Sequence, residues 1–127
     1  MKVGFDLDGC LDREKVLWLA KELWNKGHEI HVISGIFTES VTWQSEDSKR
    51  AKVMRLWSDL GMWPSKVTLH VINSSPGIPR EDRLVDIGLQ KGALCQRLGI
   101  AMMFDDSDTY TKVMKAMAGD LIVCHVK

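Results

Sequence analysis

Short apolar runs alternate with stretches of helical spacing along the whole chain, and no other feature constrains its fold as much. Lys2–Leu7, Glu29–Ile33, Val67–Ile72, Ile100–Phe104 and Leu121–Cys124 read as strands. Between the first two, Arg13–Lys26 carries Val16, Leu17, Ala20, Leu23 and Trp24 at the spacing of one helix face. Glu46–Leu60 does the same with Val53, Leu56, Trp57 and Leu60, and Leu89–Leu98 and Asp108–Ala118 read as two further helices. Asp12 stands where an N-cap belongs, and Gly27, Gly61 with Pro64, and Gly99 stand where helices stop. Ile36–Ser45 and Asn73–Pro79 read as loops, whereas Arg80–Gly88 shows no decisive period.

Helices between consecutive strands predict an α/β fold: a three-layer, Rossmann-like sandwich with a mostly parallel five-stranded sheet and helices on both faces. In such sheets ligands bind beyond the carboxyl ends of the strands. Those ends are Asp6–Asp8, Ser34, Asn73 and Asp105–Asp108. A chain of 127 residues suits one domain, 1–127. Lys plus Arg equals Asp plus Glu at 17 each, which argues against a broad basic surface for nucleic acid or membrane. Cys10, Cys95 and Cys124 are too widely spaced for a zinc ribbon and odd in number for a disulfide framework, so a reducing, cytoplasmic setting is expected. The N-terminus lacks a signal-peptide pattern, and no apolar run is long enough to span a bilayer.

The chemistry gathers at two strand ends. Asp6 and Asp8 follow the first strand, and Asp105 and Asp106 end the fourth. Four carboxylates at one sheet edge repel unless a cation stands among them, and Mg²⁺ takes hard oxygen ligands while leaving positions for water and phosphate.

In this order the motifs resemble those of the haloacid dehalogenase superfamily of phosphohydrolases. Asp6-Leu7-Asp8-Gly9 is similar to its first motif, Ser34 to the second, Lys91 to the third, and Phe104-Asp105-Asp106-Ser107 to the fourth. The resemblance implies an Mg²⁺-dependent phosphatase acting on a phosphomonoester. Asp6 would be the nucleophile, and Asp8 the general acid and then base. Ser34 would bind a phosphate oxygen, and Lys91 would neutralise charge. The metal ligands implied are Asp6, the Asp8 carbonyl and Asp106, with Asp105 behind them. An acid at position 8 favours phosphatase over dehalogenase chemistry, because an alkoxide leaving group needs a proton and a halide does not.

The chain departs from the pattern in four ways, one being that Lys91 lies closer to Gly99 than in many relatives. Cys10 follows the first motif where Thr or Val is common, and Tyr110 stands where an acid or amide is common, with Asp108 nearby as a substitute. No segment is long enough for a cap domain, so the site resembles the capless branch. An open site of that kind suits a macromolecular substrate, or a phosphorylated small molecule or nucleotide where a homo-oligomer shields it. The alternative is a degenerate module that binds phosphate without turnover, for which Tyr110 is the best support. A two-component receiver domain fails on order, since Ile72-Asn73-Ser74 stands where its phosphoacceptor belongs.

Other side chains read as structural. Lys49, Arg50, Lys52 and Arg55 suit a solvated helix face better than a substrate contact, and Arg80 and Arg83 are weak candidates for the leaving group. Cys10, set among acids, makes a poor thiolate. His28, His31, His70 and His125 lack metal-ligand spacing, and Trp43 suits either loop packing or stacking on a base.

Overall fold

A computed structural model describes residues 1–36, 45–61, 68–117 and 119–127. The element order is β1 (Lys2–Phe5), α1 (Glu14–Asn25), β2 (Glu29–Ile36), α2 (Glu46–Asp59), β3 (Thr68–Asn73), α3 (Arg83–Leu98), β4 (Ile100–Asp105), α4 (Asp108–Ala116) and β5 (Ile122–His125). Trp43, Pro64 and Val67 lie outside the described residues.

The fold is α/β and Rossmann-like. Its five strands run in the order β3-β2-β1-β4-β5, and every neighbouring pair is parallel. Each connection between consecutive strands contains a helix, which returns the chain to the edge it started from. β1 is central. The chain builds outward to β2 and β3, then crosses to β4 and β5 on the other side.

Alternation along the strands makes two cores. Val3, Phe5, Ile30 and Val32 face α1 and α2, where Val16, Ala20, Val53 and Trp57 cover them. Ile33, Ile72, Ile100 and Met103 face α3 and α4, where Ile87, Cys95 and Met114 cover them. Ile100 and Met103 share a face despite their odd spacing. The register of β1 on β4 slips at this point, from Lys2↔Ile100 to Val3↔Met102, and one extra residue reverses the phase of the strand.

The sheet also corrects several element boundaries. β2 does not stop at Ser34-Gly35: its ladder with β3 continues through Ser34↔Val71, Gly35↔Ile72 and Ile36↔Asn73. Gly35 marks a close approach, since a Cβ there would lie 2.7 Å from Ile87 Cγ2. α3 begins at Arg83 rather than Leu89. Its first two turns expose Leu84, Val85 and Leu89, which hides the buried stripe from a reading of apolar spacing. Asp12 does not cap α1; the cap position is Arg13, with no side-chain bond, and the Asp12 carboxylate accepts from Lys52 instead, at 2.8 Å. α4 is capped by Ser107, whose Oγ accepts from the Tyr110 N–H at 3.2 Å. Among the described residues, no helix is long and apolar enough to cross a membrane.

Trp57 is fully buried between α2 and the sheet. Trp57→Ala is expected to lower unfolding free energy by about 3–5 kcal/mol, read from urea denaturation.

Candidate active site

β1 and β4 are neighbours at the point where the strand order reverses, and their ends deliver the acids. Phe5 and Phe104 are in register with their rings stacked at 4.9 Å, and the Asp6 N–H donates to the Phe104 carbonyl at 2.8 Å. Asp6 and Asp105 therefore leave the sheet side by side. The loop after β1 turns back at once. The Leu11 N–H donates to the Asp6 carbonyl at 3.1 Å, and Leu7, Cys10 and Leu11 are buried anchors. Gly9 takes φ of 75°, and a Cβ there would run into the Asp106 carboxylate. Glycine lets this loop pass directly against the fourth-strand acids.

Carboxylate oxygens of Asp6, Asp105 and Asp106 come within 4.8 Å of one another. Lys91, on α3 and 0% exposed, joins two of them, donating to Asp6 Oδ1 at 3.0 Å and Asp105 Oδ2 at 2.7 Å. Burial alone would pull this ammonium down, but the Asp6 and Asp105 charges outweigh it and hold its pKa up. The other oxygen of Asp105 accepts from the Ser107 N–H at 3.0 Å, so both are engaged internally. Asp106 instead lines the open cleft. Burial, then a hydrogen bond shared with Asp6 and the charges of Asp6 and Asp105, push its carboxyl up to about 6. One ammonium among three carboxylates leaves this corner short of positive charge. The donor set is all hard oxygen, which fits a hard divalent cation without singling out one metal.

Asp8 stands on the other wall. Lys49 donates to its Oδ2 at 2.7 Å and Lys52 to its Oδ1 at 2.7 Å. Burial pushes the Asp8 carboxyl up, but these bonds and charges prevail and hold it below its ordinary value. Lys49, 4% exposed, also donates to Ser34 Oγ at 2.7 Å. The solvated-face reading of this helix thus fails for Lys49 and Lys52, while Arg50 does pair along the surface with Glu46. A faint signal lies in the spacing, since Lys49 continues the four-residue stripe of Val53 and Trp57.

Asp6, Asp8, Ser34 and Asp106 line one cleft of about 260 Å³, with Gly35, Leu84, Ser107 and Tyr110. Lys91 and Asp105 lie buried behind it. The Tyr110 ring packs on Lys91, whose Nζ is 4.4 Å from the ring centroid. Asp108 does not replace it, being exposed and paired with Lys112 at 2.9 Å. Arg80 and Arg83 are not among the lining residues; Arg83 donates to the Ile78 carbonyl at 3.4 Å. Burial, followed by the charges of Asp6, Asp105 and Asp106, raises the Cys10 thiol far above its usual range, which suits a packing role. His31 and His70 meet across β2 and β3, Nδ1 to Nε2 at 3.1 Å, and His31 Nε2 meets Glu29 at 2.9 Å. His125 Nε2 meets the Asp106 carbonyl at 3.1 Å.

No protein-family model matches this chain, and no curated protein matches it in sequence.

Two predictions test this geometry. A carboxyl raised in the folded state leaves stability highest below its unfolded value near 3.8 and loses it as pH climbs to about 6. Asp106→Asn removes that loss. In chelator at pH 7.5 it is expected to stabilise the protein by roughly 1 kcal/mol after solvent screening, and the gain should vanish below pH ~4 in urea denaturation. Gly9→Ala forces a Cβ into a positive-φ site against Asp106 and is expected to cost about 1–3 kcal/mol by the same measurement.

Proposed function

We propose that this protein is an Mg²⁺-dependent phosphatase that hydrolyses a phosphomonoester through an aspartyl-phosphate, as its resemblance to the haloacid dehalogenase phosphohydrolases implies. One observation carries the reading. Asp6, Asp105 and Asp106 converge with a buried lysine at the carboxyl edge of the sheet, and Asp8 and Ser34 face the same cleft.

In this reading Asp6 attacks phosphorus, and the bond from phosphorus to the leaving oxygen breaks. Lys91 lowers the charge on the nucleophile and keeps Asp6 aimed from behind. Ser34 donates to a phosphate oxygen. Asp8 gives a proton to the leaving oxygen and later takes one from the water that attacks the acyl phosphate. Free of substrate, both Asp8 oxygens are held by lysines, which favours the carboxylate. A phosphate dianion in the cleft puts like charge beside the Asp8 carboxylate, which raises its proton affinity, and Asp8 is then able to carry a proton. Asp6, Asp106 and the Asp8 carbonyl are the groups that would hold Mg²⁺, which supplies positive charge beside the phosphoryl oxygens.

Only the residues Asp6–Arg13 lie between β1 and α1, and Ser74–Pro79 with a short turn at Arg80–Asp82 lie between β3 and α3. Neither has the length of a cap, which supports a substrate reached from open solvent: a phosphorylated small molecule, a nucleotide or a macromolecular end.

A second reading, phosphate binding without turnover, draws on Tyr110. Its ring covers Lys91 at the position where the family has an acid or amide.

Turnover of p-nitrophenyl phosphate and a panel of nucleotides and sugar phosphates separates the two. The expected result is phosphate release with Mg²⁺, none with chelator, and a loss of at least about a thousandfold in Asp6→Asn. Release that survives Asp6→Asn sinks the aspartyl-phosphate mechanism. Phosphate binding with no turnover on any substrate favours the second reading.

A further inference from the structure

We infer that Lys49 is a positioning residue for the phosphate subsite, acting through the hydroxyl of Ser34. The inference rests on the phosphatase reading, because it concerns the group that meets the phosphate.

An ammonium has only protons to offer. With Lys49 Nζ 2.7 Å from Ser34 Oγ, the serine oxygen must accept, and its own hydrogen must point elsewhere. Ser34 lines the cleft, so that hydrogen is left for a ligand oxygen there. Without the ammonium, nothing fixes that oxygen as an acceptor, and the hydroxyl is free to rotate. It is then able to turn a lone pair toward an incoming anion. Lys49 thus makes Ser34 a donor in advance.

The frame that holds Lys49 is independent of the site. Ser45 and Ser48 close the start of α2 with reciprocal bonds of 3.0 Å, one from each backbone N–H to the other's hydroxyl. Val53 and Trp57 fix the same face of the helix in the core. An apolar residue at position 49 would dock this stripe as well, and a buried cation is costly unless its partners use it. The two lysines also divide the site. Lys91 serves Asp6 and Asp105, and Lys49 serves Ser34 and Asp8.

A double-mutant cycle on the full chain tests the coupling, with inorganic phosphate titrated calorimetrically in the presence of Mg²⁺. Ser34→Ala and Lys49→Met are each expected to weaken binding about tenfold, and the double variant by no more than about twofold beyond either. A double variant that shows the product of the two losses overturns the inference, because Lys49 then acts independently of Ser34. So does an unchanged affinity in Lys49→Met. If Lys49→Met does not fold, Lys49→Gln replaces it. That variant keeps a donor without the charge and is expected to stay within about threefold of wild type, and a tenfold loss there overturns the inference. Wild-type protein that binds no phosphate overturns this inference, whereas the phosphatase reading falls only if the turnover assay also fails. Wild-type binding with an additive cycle sinks this inference alone.

Discussion

The Lys91 ammonium is the contact on which the site depends. It sits with no exposure between Asp6 at the end of β1 and Asp105 at the end of β4. These two strands are neighbours only because the chain crosses the sheet after β3. Three carboxylates forced together at that crossing would repel strongly at low dielectric. One buried cation makes the arrangement tolerable and still leaves it short of positive charge. The hard oxygens gathered there are a set that could hold a cation.

Asp8 faces a different balance. Two lysines from α2 occupy both its oxygens, and it is more exposed than Asp6 or Asp105. The two sides of the cleft are therefore electrostatically unlike. The Asp106 side holds a carboxyl pushed up by its neighbours, and the Asp8 side holds one pulled down by cations. Carboxyl groups of the same type in one cleft are given different proton affinities by surroundings alone, which is how one residue type fills separate roles in a reaction.

Much of this was legible before any coordinates. The acids after β1 and β4 stand out as two pairs, since any one of them alone reads as a helix cap or a solvated end. Lys91 is readable from motif order, and the structure places it on the buried face of α3 with Ile87 and Cys95. Lys49 is harder to read. A lysine one turn into a polar helix looks solvated, and its acceptors lie 15 and 41 residues earlier in the chain. The start of α3 is hidden in the sequence because exposed Leu84, Val85 and Leu89 scramble the apolar spacing. The end of β2 is not legible in the sequence, because Gly35 reads as a breaker and only the fold sets Ile87 against it.

The sequence by itself determined the α/β class, the alternation of elements and the residue types at each strand end. Those follow from local spacing, since the pattern of apolar residues along a segment sets which face it must bury. Tertiary structure alone decided which strands lie side by side, that Ala101 breaks the phase of β4, and which lysine meets which carboxylate. The physical reason is range. A helix stripe is written within a few turns, whereas the partner of a buried charge is fixed only when distant segments pack and water is excluded between them.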